Sequence, residues 1–212
     1  MLVGERMSHP VIWITPDLPI HEALNLFKRD HIRRAPVIKN NKLVGIISDS
    51  DLLNASPSPV SSLSIWEMNY LMSKITVAEV MTKKVLTVSE DTPIEEAARV
   101  MCDNKIGGLP VMKDGHVVGI ITETDLFKIF LELMGARERG VRVTAILAEK
   151  PGQLAKVTET LSALGGNFIA FGVFTGKDPS NRMITFKITG LKRAVVEKAL
   201  KPLVESISDI RE

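Results

Sequence analysis

Gly45-Ile46-Ile47-Ser48-Asp49-Ser50-Asp51-Leu52 lies, at one constant offset, over Gly119-Ile120-Ile121-Thr122-Glu123-Thr124-Asp125-Leu126. Working outward, the register holds without a gap back to Met7 over Met81. Asp17, Pro19, Ile20, Glu22 and Ala23 fall on Asp91, Pro93, Ile94, Glu96 and Ala97, and Pro36-Val37 falls on Pro110-Val111. A supersecondary unit that recurs in register does so because its copies bury their apolar faces on each other. The chain therefore carries a duplicated domain.

Each repeat reads as strand, helix, strand, strand, helix. Pro19 and Pro93 suit the first turn of a helix, where a missing N–H costs nothing. Behind them Ile20, Ala23, Leu24 and Phe27, and Ile94, Ala97, Ala98 and Met101, recur at helical spacing on one face. Ala35 to Ile38 and Leu109 to Met112 read as short strands, each followed by a polar turn, Lys39 to Lys42 or Lys113 to His116. Leu43 to Ile47 and Val117 to Ile121 then run apolar through a glycine, as the second strand of a buried hairpin does. A final helix starts at the hydroxyl residue that closes each block.

Two readings of that junction stand side by side. Ser48 with Asp51, and Thr122 with Asp125, have the spacing of a capping box, in which the hydroxyl takes a free N–H and the carboxylate reaches back. The other reading is chemical. A helix N-terminus attracts phosphate, a carboxylate can accept both hydroxyls of a ribose, and the preceding glycine permits another group to approach closely. Phosphate on the hydroxyl and ribose on the Asp together describe a nucleotide.

Composition excludes several classes. The 212 residues, 45% hydrophobic and 25% charged, are an ordinary globular mixture long enough for more than one domain. A formal net charge of +2 gives no global field for nucleic acid, and no basic helix carries a DNA-binding role. No apolar run approaches the ~18 residues that span a bilayer, and Met-Leu-Val-Gly-Glu-Arg lacks the order of a signal peptide, so a cytoplasmic protein with no membrane partner is expected. His9, His21, His31 and His116 fall in no metal-ligand spacing and Cys102 has no evident base, so neither a metal site nor catalysis is expected. Cys102, the single cysteine, is expected to be a small buried or half-buried side chain of a helix.

On the quoted GIISDSD and GIITETD blocks and the two Pro-Val pairs, residues from about 1 to 134 resemble a tandem pair of CBS domains, the Bateman module. The resemblance implies two clefts for adenosine-containing ligands, such as AMP, ADP, ATP, S-adenosylmethionine or NAD. It implies that Asp51 and Asp125 take the ribose and that Ser48 and Thr122 lie near the phosphate. The adenine would be wedged between apolar residues near Val11 and Val85 and those before the Pro-Val pairs, including Leu109 and Pro110. The copies differ where Arg33-Arg34 lies over Gly107-Gly108: either the first cleft gains cationic donors for a polyphosphate while the second gains room and backbone, or the arginines belong to a solvated edge. Lys83-Lys84, over His9-Pro10, could return positive charge to the second cleft.

Between the copies, Asn54 to Leu63 is a Ser and Pro loop, followed by a short amphipathic helix with Ile65, Trp66, Met68, Asn69, Tyr70, Leu71 and Met72. Such a stripe reads as core or subunit seam. The helix from Leu126 to Leu133 is apolar over much of its circumference and ends near Gly135 or in Arg137 to Gly140, which marks a boundary. Beyond it the pattern reads β-α-β-β-α-β: Val141 to Leu147, a helix through Leu154 and Leu161, Phe168 to Thr175, Arg182 to Thr189, Lys192 to about Leu203, and a strand near Ile207. That order describes a ferredoxin-like sandwich, a scaffold of many functions.

Glu149-Lys150-Pro151-Gly152-Gln153-Leu154 and Gly166-Asn167-Phe168-Ile169 are similar to the turn and second-strand entry of an ACT domain, with Glu149 where Asp is commoner. That resemblance implies a small amino acid held at an interface between two ACT domains by Glu149, Pro151, Gly152, Leu154, Gly166 and Asn167. One such domain per chain would need a second chain. The alternative is that Pro151-Gly152 and Gly166-Asn167 serve the turns alone. The whole order looks most like the acetoin-utilisation AcuB-type regulatory proteins. The expected fold class is thus α+β, with residues 1–75 as CBS domain 1 and its linker helix, 76–136 as CBS domain 2, and 140–212 as the ACT domain. The expected function is non-catalytic ligand sensing by a homodimer, read out by an unidentified target protein. A partner-binding scaffold with no nucleotide dependence is the rival.

Overall fold

The computed structural model describes residues 1–56 and 64–212, and the chain divides into two compact units, Met1–Leu126 and Phe127–Glu212. Residues 57–63 of the Ser and Pro loop lie outside the described residues, as do the Ile, Met, Asn and Leu side chains of the stripe after it.

The first repeat contributes α1 (Ile20–Arg29), β1 (Arg34–Lys39), β2 (Lys42–Ser48) and α2 (Asp49–Asn54). Then come α3 (Ile65–Lys74) and α4 (Val77–Val80). The second repeat contributes β3 (Val88–Ser89), α5 (Ile94–Asn104), β4 (Gly108–Lys113), β5 (His116–Thr122) and α6 (Glu123–Leu133). Helix α1 forms where the apolar spacing demands it: Pro19 caps it from an extended conformation, and Ile20, Ala23 and Phe27 share its buried face. Lys28 and Arg29 sit in its last turn, against the negative end of the helix dipole.

The two hairpins are copies down to their irregularities. β1 pairs β2 antiparallel from Arg34↔Ser48 to Lys39↔Lys42, and β4 pairs β5 from Gly108↔Thr122 to Lys113↔His116, each with a shift after Val37 or Val111. Asn40 and Asn41 turn the first hairpin at φ 50° and 60°, Asp114 and Gly115 the second at 48° and 78°, as a tight hairpin requires. The opening strand expected in each repeat is much reduced. In the second it is the two-residue β3, parallel to β4 at Val88↔Val111; in the first only the bridge Ile14↔Val37 remains.

The ends of the repeats are exchanged. A 3₁₀ turn, Val3–Glu5, docks on the second repeat through Val3 N–H to Thr92 O at 2.9 Å and Gly4 N–H to Glu90 O at 2.8 Å, and Ser8 bridges Ile120. Reciprocally, Val77 N–H donates to Leu18 O at 2.9 Å and Thr82 bridges Ile46. Val3 is fully buried in the core of the second repeat with Ala97, Met101, Leu109, Val111 and Ile121. Val77 is fully buried in that of the first with Ile20, Phe27, Val37, Ile47 and Leu52. Burial of each valine is worth about 1.5–3 kcal/mol. A contiguous cut between residues 75 and 76 thus separates each repeat from a piece of its own core.

The glycines of β2 and β5 serve this exchange. A side-chain carbon on Gly45 would collide with the Met81 sulfur and lie 3.1 Å from Thr82 O, and one on Gly119 would collide with the Met7 sulfur. The close approach foreseen at these glycines is therefore made by a methionine of the exchanged segment. Cys102 departs from expectation: α5 buries Ala97 and Met101, and Cys102, one position further round the helix, is exposed.

In the second unit α6 ends where Gly135, at φ 55°, turns the chain and Ala136 N–H reaches back to Leu131 O. β6 (Val141–Ala148), α7 (Gln153–Ala163), β7 (Asn167–Thr175), β8 (Asn181–Thr189), α8 (Arg193–Leu200) and β9 (Ser206–Arg211) follow. The sheet order β7-β8-β6-β9, antiparallel throughout, is that of a ferredoxin-like sandwich. Val143, Leu147, Val157, Leu161, Phe186 and Leu200 build its core. Phe168, Phe171 and Phe186 pack with ring centroids 5.2–5.8 Å apart, and Thr144 and Thr185 pair their buried hydroxyls at 3.0 Å. Among the described residues no helix is long and apolar enough to cross a membrane.

Candidate functional site

Both hydroxyl and carboxylate pairs make the capping contacts that their spacing predicts. Asp51 Oδ2 accepts from Ser48 N–H at 2.8 Å and Ser48 Oγ at 2.7 Å, and Ser48 Oγ accepts from Asp51 N–H at 3.2 Å. Asp125 Oδ2 accepts from Thr122 N–H at 3.0 Å and Thr122 Oγ1 at 2.7 Å. Capping leaves chemistry to spare in the first repeat, because Asp51 Oδ1 has no partner among the described residues. The N–H groups of the short α2 are less available: Ser50 N–H goes to Asp49 Oδ1 and Asp51 N–H to Ser48.

Ser48 and Asp51 line a cleft of about 560 Å³, a size that fits a small-molecule ligand. Its other walls come from the second repeat: Thr82, Lys84, Val85 and Leu86 on one side, Asn104 to Gly108 on the other. The arrangement is crossed. Asp51 faces Val85 rather than Val11, and Lys84 brings its charge here rather than to the second repeat's motif. Of the residues singled out from sequence, Ser48, Asp51, Val85, Arg34 and Gly107 line this cleft together. Leu109 and Pro110 are buried in β4, and Val11, Arg33, Thr122 and Asp125 lie outside this lining. Thr82, Leu86 and Lys105 also line the cleft; they carry no local motif, and only the constant offset between the repeats, taken with the exchange, points to them.

Arg34 is the most informative group in the cleft. Its guanidinium lies against Gly107 and Gly108: a side-chain carbon on Gly107 would collide with it, and one on Gly108 would lie 2.7 Å from Nη1. The arginine of one repeat thus fills space left by the glycines of the other. Nη1 is buried and has no hydrogen-bond partner among the described groups, while Nη2 stands 4.0 Å from Glu123. Burial lowers the guanidinium's pKa from its ordinary value, with Arg33 acting in the same direction and Glu123 and Asp49 against it. A buried cationic donor without an acceptor is costly, and an anionic ligand in the cleft would supply one.

The second motif has different surroundings. Asp125 is only 5% exposed, Ser8 Oγ donates to its Oδ1 at 3.4 Å, and Arg33 Nη2 donates to Thr124 Oγ1 at 2.7 Å. Arg33, just before β1, and Arg34, its first residue, thus serve different repeats. Among the described residues no cluster of His, Cys, Asp and Glu could hold a metal ion.

In the second unit, Glu149 and Leu154 line a small recess of about 100 Å³ with Leu147, Lys150, Val173 and Arg182. Glu149 is paired with Arg182. Gly152 takes φ 81° before α7, as the Pro-Gly turn requires. Gly166 and Asn167 lie outside this recess; a side-chain carbon on Gly166 would lie 2.8 Å from Leu161 O, so packing alone accounts for that glycine. The recess is well below the roughly 300 Å³ of the smallest ligand pockets.

Comparison with known proteins bears on the first unit. The sequence profile described as CBS domain matches residues 3–58 and 77–132. The chain is similar to the CBS domain pair of protein MJ0100, solved in complex with 5'-methylthioadenosine and S-adenosyl-L-methionine, at 31% identity and TM-score 0.52, over 65% of this chain and 98% of that one. It is similar to a putative acetoin utilization protein (AcuB) from Vibrio cholerae at 30% identity and TM-score 0.53, over 65% of this chain and 95% of that one. It is also similar to CBSX2, solved in complex with AMP, at 31% identity and TM-score 0.50, over 61% of this chain and 96% of that one.

Proposed function

The chain belongs to the CBS-domain family, and from that premise we propose that it is a non-catalytic regulatory protein that senses an adenosine nucleotide in the cleft of Asp51 and Arg34. The observation that carries this reading is the pairing, in one cleft of ligand size, of an open carboxylate oxygen with a buried cation lacking an acceptor. Asp51 Oδ1 suits the ribose hydroxyls, the apolar wall at Val85, Leu86 and Ile106 suits the adenine, and Arg34 with Lys84 suits a 5'-phosphate. Ser48 acts through Asp51, which it holds in place. The complexes of similar CBS pairs with AMP and with S-adenosylmethionine support an adenosine ligand.

Sensing requires that the ligand prefer one arrangement of the protein over another. A ligand at ~100 times its dissociation constant stabilises the binding state by about 2.7 kcal/mol, enough to reverse a modest bias. We take residues 140–212 as an ACT domain whose recess at Glu149 and Leu154, too small by itself, would be completed by a second copy around a small amino acid. A cytoplasmic homodimer of the acetoin-utilisation type acting on a target protein, with repeats at 1–75 and 76–136 that exchange their N-terminal segments and a third domain at 140–212, is the fuller form of this proposal. The scaffold reading draws on exposed apolar side chains: Trp66 and Tyr70 on α3, Phe127 and Phe130 on α6.

Calorimetric titration with AMP, ADP, ATP, S-adenosylmethionine and NAD, repeated on Asp51→Ala, tests the proposal. Micromolar binding of one of them that the substitution removes is the expected result. Absence of binding by all five would transfer the function to the scaffold reading.

A further inference from the structure

The duplication sets up an internal comparison. Positions equivalent by the constant offset are Arg33 and Gly107, Ser8 and Thr82, Thr124 and Ser50, Asp125 and Asp51. At the first motif, Gly107 presents no side chain and Asp51 Oδ1 has no partner among the described residues, with Thr82 lining the same cleft. At the second, the side chain that replaces Gly107 is Arg33, and it donates to Thr124 at 2.7 Å, on the motif's own helix. The residue that replaces Thr82 is Ser8, and its hydroxyl donates to Asp125 Oδ1 at 3.4 Å. Asp125 is correspondingly 5% exposed, its two oxygens taken up by Thr122 and Ser8.

We propose that the chain takes one nucleotide, in the cleft of Asp51, and that Arg33 and Ser8 close the equivalent position at Asp125. A ribose arriving there would have to displace Ser8 from the carboxylate and Arg33 from Thr124, whereas at Asp51 it meets an open oxygen. Arg33 is therefore the residue that sets the stoichiometry, while its neighbour Arg34 sits in the occupied cleft. This inference rests on the nucleotide reading above, and its test separates the two.

The probe is AMP, titrated calorimetrically into the full chain, with Arg33→Gly as the main variant because it copies Gly107; Arg33 is exposed, so removing its side chain leaves the core intact. Expected are one AMP per wild-type chain, lost in Asp51→Ala and kept in Asp125→Ala, and a second site in Arg33→Gly that disappears again in Arg33→Gly combined with Asp125→Ala. Two sites in the wild-type chain, a stoichiometry halved by Asp125→Ala, or no site gained in Arg33→Gly overturns this inference and leaves the nucleotide reading standing. A wild-type chain that binds no AMP overturns this inference, and if the other four ligands also fail, the nucleotide reading falls with it.

Discussion

Replacing Arg34 with Met should move stability and affinity in opposite directions. In the free protein the guanidinium holds a buried Nη1 without a partner, and an unsatisfied buried donor costs about 1–3 kcal/mol. Against this, the substitution loses the contact with Glu123, which at 4.0 Å and with Glu123 half exposed is worth at most ~1 kcal/mol. Methionine keeps most of the apolar stem, which lies against Gly108, and adapts its shape to the gap that the guanidinium leaves at Gly107. The balance is a free protein about 1 kcal/mol more stable, measured as a shift in the urea midpoint at unchanged slope. Binding goes the other way. A charged hydrogen bond to phosphate is worth about 1.5–3 kcal/mol, so AMP should bind roughly 10- to 150-fold more weakly. Adenosine, which has no phosphate, should bind as before. The comparison of the two ligands is the critical one: an equal loss for AMP and adenosine would falsify the assignment of Arg34 to the phosphate. A substantial destabilisation of the free protein would show that Nη1 is satisfied in solution.

Other expectations are more compact. Asp51→Ala and Asp125→Ala should each cost about 1 kcal/mol of stability through loss of a helix cap, but only Asp51→Ala should also remove about 1.5–3 kcal/mol of nucleotide binding; equal effects on binding would contradict the asymmetry. Deleting residues 1–7 removes Val3 and Met7 from the second repeat's core, so amide exchange should accelerate in β4 and β5 well before β1 and β2, and the reverse order would refute the exchange of segments. In the second unit, hydrogen bonds from Arg211 hold the Asp209 carboxyl below its ordinary pKa, with Arg142 adding to the effect. A carboxyl whose folded pKa is depressed contributes stability above its unfolded value, about 3.9, and loses it as pH falls through the folded value. Exchange protection of β6 and β9 should therefore decline in that acid range, and Arg211→Ala should flatten the decline; an unchanged profile would show that the pair contributes nothing.

Some of this protein is written locally. Helices at Ile20 and Ile94 follow from a proline and an apolar spacing of one helical turn, and the hairpins follow from turn residues that accept positive φ between apolar runs. The two capping boxes follow from a hydroxyl and a carboxylate three residues apart. The sheet order of the second unit agrees with the β-α-β-β-α-β reading because each element there is long enough to declare its own period. Met101 is buried and Cys102 exposed although both sit on one helix, because only packing decides which of two neighbours faces inward.

The duplication is plain in the sequence alone because its copies lie in register at one constant offset, and the order of elements and the capping pairs are plain there because neighbours within a few residues impose them. Which repeat completes which core was decided by tertiary structure. Val3 and Val77 have nearly the same local surroundings, and either could satisfy the nearer or the farther sheet by period and hydrophobicity; the fold sends each to the other repeat. The same choice, made between residues far apart in the chain, sets Val85, Lys84 and Gly107 opposite Asp51 and sends Arg33 and Arg34 to different motifs. Local patterns fix what each segment is, but a repeat compatible with two partners is resolved only by the packing of the whole unit.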